Sequence, residues 1–431
     1  MKFAFYTLGC KVNQYETQAM ERRLVQEGHV LGSWAEPCDG FIINTCTVTA
    51  VSDKKSRNAI RRVRKLNPDA VIGVCGCYAQ TKPDEIRALD VDVLAGTADR
   101  MAFLEAVTEE ASRRVRRRRE FWEAAAAHRT FESLPAGGLA ARTRAMLKIQ
   151  DGCCNFCSYC IIPYARGPVR SLPLPDAVRQ AEAVAAEGYR ELVITGIEIS
   201  SWGKDLRDGG SLSDLLGAVC LAAPGLRIRL GSLEPRTITE EFCRVLSSLG
   251  NLCPQFHLSL QSGCDAVLRR MNRKYDTARY LESVRLLRRH FPGCALTTDL
   301  IVAFPGETEA EFRQSLSFLE ACGFAAVHVF PYSRRDGTPA AGMPGQLGNA
   351  VKARRSAEAA AVADRLERRY RSAMIGTMQQ VLFEQREGAY FAGHAENYVK
   401  VLVPAEGLHN QIRRVKIAAL AEGGVLGELA D

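Results

Sequence analysis

The sequence predicts an α/β protein in three parts: a parallel sheet with helices on its faces, a partial barrel of six strand–helix units, and a small all-β barrel. Three patterns predict this. Apolar strand-like runs alternate with amphipathic stretches over residues 1–110 and again over 144–371, and such alternation builds parallel sheets. A break rich in arginine and alanine, 111–143, separates the two regions. Over 372–431 short alternating runs recur about every ten residues, as in a small closed sheet.

In the first part, 2–8, 40–45, 70–74 and 91–94 read as strands, and 13–27, 49–66 and 82–89 as helices. Right-handed crossovers set the C-terminal ends of all these strands along one edge, where open α/β sheets bind ligands. Cys10, Cys46 and Cys77 each follow a strand. They are distant in sequence, yet this edge would gather them into a second thiolate site. Three unrelated buried cysteines satisfy the fold logic equally well. Cys75, two residues before Cys77, is a rival ligand and is read as a packing residue.

The helix after Cys46 carries Lys54, Lys55, Arg57, Arg61, Arg62, Arg64 and Lys65 with no acid between them. Solvated helix faces usually mix signs, so this run suggests contact with phosphates, a soluble face being the plain alternative. Six arginines, Arg113, Arg114, Arg116, Arg117, Arg118 and Arg119, open the linker; RNA contact and simple solvation are equally open for them.

In the central part, strands are expected at 145–149, 191–195, 226–230, 255–260, 295–302 and 326–330. Barrels of this kind collect their chemistry at the C-terminal strand ends. After the first strand, Cys153, Cys157 and Cys160 have the spacing C-x3-C-x2-C. Three thiolates on one loop hold three irons of a four-iron cluster and leave the fourth iron open. Zinc would want a fourth ligand, and no Cys or His lies nearby at finger spacing. Cys154 also fits a shorter C-x2-C-x2-C, and spacing alone does not decide. Gly196 and Glu198 in TGIE, Glu234 in SLEP, and Gln261 in SLQSG stand at later strand ends as cofactor-pocket candidates. Gly196 would permit close backbone approach, and the others would supply polar contacts.

The stretch 350–371 reads as a long helix, with seven basic residues against three acids. In the last part, Tyr390, Phe391 and Tyr398 can stack on bases or fill a core. Residues 372–431 hold five Lys/Arg and seven Asp/Glu, so this module is not basic.

Composition narrows the class. The chain has 431 residues, 47% of them hydrophobic, which suffices for proper cores. No run of about 18 apolar residues suggests a membrane span, and the N-terminus turns polar too early for a secretory signal. Fifteen cysteines in so long a chain suggest metal ligands and buried thiols rather than a disulfide framework. The net charge of +8 is unevenly placed, which favours a polyanionic partner. A cytoplasmic monomer is expected.

The loop C-x3-C-x2-C, with Tyr159 before its last cysteine, resembles the radical SAM superfamily. With GCKVNQYET, NTCTV, GCYAQ, SLEP, HLSLQSGCD, MNRKY and FPGET, the chain resembles the radical SAM methylthiotransferases over nearly its whole length. GHAENYVKV resembles the TRAM domain, an RNA-binding module. The resemblance implies a flavodoxin-like first domain and two 4Fe-4S clusters. Cys153, Cys157 and Cys160 would hold the one that cleaves S-adenosylmethionine. Cys10, Cys46 and Cys77 would hold the one that supplies sulfur. Two S-adenosylmethionine molecules would be used per turnover, as cosubstrate. One generates the radical that attacks the adenine C2 region, and one gives the methyl group.

FYTLGCKVNQYET, CIIPYARG and TGIE resemble the branch acting on N6-threonylcarbamoyladenosine at tRNA position 37. The sister branches act on isopentenyladenosine in tRNA or on a ribosomal-protein aspartate. Implied partners are the tRNA anticodon loop, an electron donor and a sulfur source. The reading from another class is a non-catalytic iron–sulfur protein that binds RNA or senses.

Overall fold

The computed structural model of the chain describes residues 1–113, 117–138, 143–207 and 209–430. Arg114 and Arg116 of the arginine run lie outside the described residues.

The first part is a six-stranded, all-parallel sheet. Its strands are β1 (Lys2–Thr7), β2 (Val30–Leu31), β3 (Gly40–Thr45), β4 (Val71–Gly76), β5 (Val93–Ala95) and β6 (Arg119–Phe121), in the order β2-β1-β3-β4-β5-β6. Helices α1 (Lys11–Gln26), α2 (Ala50–Leu66), α3 (Cys77–Thr81), α4 (Pro83–Arg87) and α5 (Arg100–Arg113) connect them. Strands β3 and β4 are buried along their full length, as a central parallel pair covered on both faces must be. The chain reverses its direction of travel across the sheet between β1 and β3, and that switch point opens the crevice used for ligands.

The sheet runs past residue 110. Helix α5 extends to Arg113, and β6 pairs with β5 from within the expected linker. Arg119 donates to Glu109 at 2.6 Å, so part of the arginine run serves as an ion-paired sheet edge. Helix α5 was missed because its apolar face is weakly periodic, interrupted by Glu109, Glu110 and Ser112.

The central part is the expected partial barrel. Its six main strands are β7 (Arg144–Asp151), β9 (Glu191–Gly196), β10 (Arg227–Leu230), β12 (Gln255–Leu258), β13 (Ala295–Val302) and β14 (Ala326–Pro331). Two short strands, β8 (Arg170–Ser171) and β11 (Ser232–Leu233), complete two four-stranded sheets, β10-β9-β7-β8 and β11-β12-β13-β14. Alternation along each strand sorts the residues. Leu147, Ile149, Leu192, Ile194, Ile228, Phe256 and Leu296 join one apolar core under the helices. The intervening Lys148, Gln150, Glu191, Arg227 and Arg229 are also buried, and these form the polar side of the strands.

The last part is a closed barrel, β15 (Met378–Glu387), β16 (Tyr390–Ala395), β17 (Lys400–Val403), β19 (Gly424–Leu429) and β18 (Ile412–Ala421) in that order around the wall. It caps the N-terminal mouth of the central barrel. Arg227 donates to the carbonyls of Gln380 and His394, Arg229 to that of Glu396, and Arg144 pairs with Glu384 at 2.6 Å. Phe391 packs in the small core and is not presented as a base-stacking platform, whereas Tyr398 stacks on His394 and stays exposed. Strands close into a barrel only when one residue of each pair turns inward, which claims Phe391 for packing.

A buried ion cluster ties the first part to the second. Glu16 on α1, fully buried, accepts from Arg100 at 2.9 Å and from Arg166, with Lys148 at 3.5 Å. Asp151 pairs with Lys148 at 3.1 Å, Arg166 at 3.2 Å and Arg170 at 3.6 Å. Burial alone would push the Glu16 carboxyl up. The surrounding Arg100, Arg166 and Lys148 charges override it and hold the group at about 2. Glu191 is likewise held at about 2 against burial, by Arg229 and Arg227.

Carboxylates depressed in the folded state contribute stability that is full above their unfolded value, near pH 4.5, and is lost as pH falls toward 2. Denaturation measured from pH 7 to pH 3 should therefore show stability falling below about pH 4.5. Glu16→Gln, which removes the carboxylate that three buried cations share, should cost about 3–5 kcal/mol at pH 7 and flatten that acid limb.

Candidate functional site

Cys10, Cys46 and Cys77 meet at the switch-point edge of the first sheet. Cys10 is the N-cap residue of α1, and Cys77 is the first residue of α3. Helix N-termini carry partial positive charge and favour thiolates. Cys46 follows β3, and its sulfur accepts from the amide of Val48 at 3.5 Å. The three are electrostatic neighbours: the Cys77 thiol feels both Cys46 and Cys10. Two glycines make the approach possible. A Cβ on Gly9, at φ +111°, would lie 3.1 Å from the Cys46 sulfur. A Cβ on Gly76, at φ +98°, would lie 2.5 Å from the Thr45 carbonyl.

An uninterrupted strand would put Cys75 and Cys77 on one face. The turn at Gly76 separates them instead. Cys75 lies in the apolar core with Phe103 and Val107, whereas Cys77 opens α3.

Asn13 fastens the loops together. Its amide donates to the Leu8 carbonyl at 2.8 Å and to the Thr45 carbonyl at 3.0 Å, and its oxygen accepts from Arg166 at 2.8 Å. Arg166 lies on α6 (Ile162–Arg166), directly after the central cysteine loop. Its Nε sits 3.3 Å from the Cys77 sulfur. One side chain from the second cysteine region thus touches the first.

Cys153, Cys157 and Cys160 occupy the loop after β7, with Cys157 an electrostatic neighbour of both others. Arg273 donates to the Cys157 sulfur at 3.1 Å and to the Tyr275 hydroxyl at 3.0 Å. Burial pushes the thiols of Cys77, Cys153 and Cys160 up to about 12, and that of Cys46 in the same direction. Metal binding must displace these protons, and Arg166 and Arg273 are placed to offset the resulting negative charge. Neither arginine stood out in the sequence, although each lies inside a quoted motif, CIIPYARG and MNRKY. Cys154 is exposed beside the trio.

The donor chemistry suits an iron–sulfur cluster. Each trio is all-thiol, and among the described residues no three Cys, His, Asp or Glu side chains converge closely enough to hold a single metal ion. A cluster spreads its thiolates, one to each iron.

The other expected cofactor residues sit at the strand ends around this loop. Gly196 is packed against the neighbouring strand, and a Cβ there would lie 2.9 Å from the Gln150 carbonyl. Glu198 accepts from the Ser200 amide at 3.0 Å, with the Cys153 thiol and the Glu234 carboxylate as neighbours. Burial first, and Glu234 with it, push the Glu198 carboxyl up. Glu234 pairs with Arg236 at 2.9 Å. Gln261, in the left-handed region at φ +69°, lines an apolar cavity of about 320 Å³. Val48 and Thr49, from the loop after Cys46, face Tyr159, Cys160 and Asp299 across it. Cys160 of the central trio thus faces the loop that follows Cys46 across this cavity.

The basic helix divides. Arg57 is bound to the Tyr78 hydroxyl and Glu85, and Arg64 to Asp92 at 2.6 Å and three carbonyls. These two are structural. Lys54, Lys55, Arg61, Arg62 and Lys65 are exposed. The acids that hold Arg57 and Arg64 come from elsewhere in the chain, which the local pattern could not reveal.

Fold, cysteine loop and strand-end pocket together define a radical SAM enzyme, whose cofactors are 4Fe-4S chemistry and S-adenosylmethionine. The Radical SAM superfamily pattern matches residues 147–319, and that of Uncharacterized protein family UPF0004 matches residues 2–96. Threonylcarbamoyladenosine tRNA methylthiotransferase MtaB of Bacillus subtilis is 40% identical, covering 96% of this chain and 93% of the relative. The protein of that name from Thermotoga maritima is 35% identical, over 99% and 96%. The tRNA-2-methylthio-N(6)-dimethylallyladenosine synthase of Moorella thermoacetica is 33% identical, over 100% and 98%. A radical S-adenosylmethionine methyltransferase from Kitasatospora setae, TsrM, shares the fold with a TM-score of 0.57 at 16% identity, over 79% of this chain and 74% of its own. The chain belongs to the radical SAM methylthiotransferase family, enzymes that install methylthio groups.

The division of the basic helix is testable by chemical denaturation. Arg64→Ala should cost about 2 kcal/mol or more, because it removes an ion pair with buried Asp92 and hydrogen bonds to three carbonyls. Alanine at Lys54, Lys55, Arg61, Arg62 or Lys65 should change stability by less than about 0.5 kcal/mol.

Proposed function

We propose that this enzyme adds a methylthio group to C2 of N6-threonylcarbamoyladenosine at position 37 of tRNA, using two 4Fe-4S clusters. The observation that carries the reading is Arg166, which follows the central cysteine loop and reaches the Cys77 sulfur of the N-terminal trio, beside an apolar cavity lined by Cys160 and by Val48 and Thr49 of the Cys46 loop. The relatives named for this substrate, at 35–40% identity over nearly the full chain, support the choice of nucleoside.

Cys153, Cys157 and Cys160 hold the cluster that works with S-adenosylmethionine, and Cys10, Cys46 and Cys77 hold the one that supplies sulfur. When bound, these groups supply radical chemistry and the sulfur atom. The protein's own part is placement and charge. Arg273 and Arg166 each balance one trio. Gln261 borders the cavity with a polar group, Glu198 and Glu234 stand as charge neighbours at nearby strand ends, and Gly196 lets two strands close together. Val48 and Thr49 bring the sulfur-bearing loop over the same space, so the base is held between them and water is excluded.

The exposed Lys54, Lys55, Arg61, Arg62 and Lys65 form a cationic helix face on the sheet unit, suited to the phosphates of the anticodon arm. The C-terminal barrel is read as the TRAM-like unit. Its charge is not basic, so its contribution is shape and closure of the central barrel.

Iron counting and nucleoside mass spectrometry test this reading together. The wild type should bind about eight irons, as two four-iron clusters require. Alanine at Cys10, Cys46 or Cys77 should leave about four, abolish thiolation, and spare reductive cleavage of S-adenosylmethionine. Alanine at Cys153, Cys157 or Cys160 should abolish both activities. The tRNA of cells lacking the gene should accumulate unthiolated threonylcarbamoyladenosine; unchanged tRNA with loss of a methylthio group elsewhere would overturn the substrate assignment.

A further inference from the structure

A cation without an ion pair among the described residues borders the polar side of the central barrel. Below the apolar cavity lies a larger polar one, of about 550 Å³, lined by Arg229, Gln255, His257, Thr297 and Asp299. Asp299 borders both cavities. A third, of about 390 Å³, lies between α1, the start of β7 and the C-terminal barrel. Lys11 lines both polar cavities.

Every other lysine or arginine of these walls has an acid. Arg229 is held by Glu191 at 2.9 Å, and Arg144 by Glu384 at 2.6 Å. Lys400 pairs with Glu387, and Arg371 with Glu367. Lys11 makes no hydrogen bond or ion pair among the described residues. Its charged neighbours are Arg229, Arg144 and Glu191, and Glu191 is already taken by two arginines. Lys11, itself exposed, therefore stands as surplus positive charge at the wall of two polar cavities, where an anionic group is favoured.

Its position says which anion. Lys11 is the first residue of α1, and Cys10 is its N-cap. Cys10 turns toward the trio and Lys11 toward the barrel interior. In adenine, a single ring nitrogen separates C2 from the carbon that carries the N6 substituent. A base offering C2 to the sulfur-supplying trio must therefore hold that substituent close by. The threonylcarbamoyl substituent ends in a carboxylate and a hydroxyl, whereas a dimethylallyl substituent has no charge and no hydrogen-bonding group.

We infer that Lys11 is the specificity-determining residue of this enzyme: its ammonium binds the carboxylate of the threonylcarbamoyl substituent and directs it into the polar interior of the barrel. This rests on the proposed substrate. Thr297, which already meets the His257 ring at 3.0 Å, and Gln255 lie in the same cavity and offer partners for the substituent's hydroxyl. An uncharged substituent gains nothing from Lys11, so the residue discriminates by favouring the acid.

The test uses the iron-loaded full-length enzyme and anticodon stem-loop RNAs whose position 37 carries threonylcarbamoyladenosine, its carboxyl methyl ester, or plain adenosine. Equilibrium binding is measured for wild type, Lys11→Met and Lys11→Arg. The wild type should bind the acid about tenfold or more tightly than the ester, the worth of a charge-assisted hydrogen bond. Lys11→Met should bind acid and ester alike, and Lys11→Arg should retain the preference. Iron content of all three should be equal; if Lys11→Met loses iron, the wild-type comparison of acid with ester decides alone. A Lys11→Met enzyme that keeps the full preference, or a wild type indifferent to esterification, overturns the assignment while thiolation of the acid RNA leaves the substrate reading standing. A wild type that prefers neither acid nor ester over plain adenosine, and thiolates neither, overturns both.

Discussion

A carboxylate sealed from water has to be shared among cations, and Glu16 is shared among three. That sharing joins the sheet to the barrel. Helix α1 carries Cys10, Lys11, Asn13 and Glu16, and Arg166 follows Cys160 by six residues. When Arg166 binds Glu16, Asn13 and the Cys77 sulfur together, it fixes the loop of the second trio against the first. A second buried pair, Asp53 with Arg335 at 2.7 Å, performs the same task on the other flank, beside Thr47 of the Cys46 loop. Buried ion pairs add little net stability compared with apolar packing. They fix orientation, and chemistry that passes between two centres depends on orientation.

The inside of the barrel follows the same logic. Each strand gives its apolar residues to the helices and its polar ones to the interior, so the enclosed space is charged from the outset. Most of those charges are consumed in holding structure: Arg227 and Arg229 bind Glu191 and the carbonyls of the C-terminal barrel, which closes the mouth. What remains unspent marks where a ligand belongs. The apolar cavity beside Cys160 is one such remainder, and Lys11, which has no ion pair among the described residues, is another.

Much of this was legible in the sequence, and the reasons differ by element. The six barrel strands show because fully buried parallel strands are nearly continuous apolar runs, and 295–302 matches β13 residue for residue. The five C-terminal strands show through alternation. Short strands β2 and β6 and helix α5 do not, because two or three residues carry no period and α5 is broken by acids on its face. The cysteine trios were legible as spacing and as strand ends. Arg166 and Arg273 were not, because an arginine bound to a sulfur looks like any other arginine until the fold brings the two together. The basic run on α2 misled in part for the same reason: Asp92 and Glu85 approach it only in three dimensions.

The central claim is that two separate all-thiol sites face one cavity. Anomalous diffraction at the iron edge, on anaerobically reconstituted crystals, tests it most directly. The account predicts two four-iron peaks, one bounded by Cys10, Cys46 and Cys77 and the other by Cys153, Cys157 and Cys160, with the apolar cavity between them. A single peak accounting for all bound iron, or a second peak bounded by other cysteines, would contradict it.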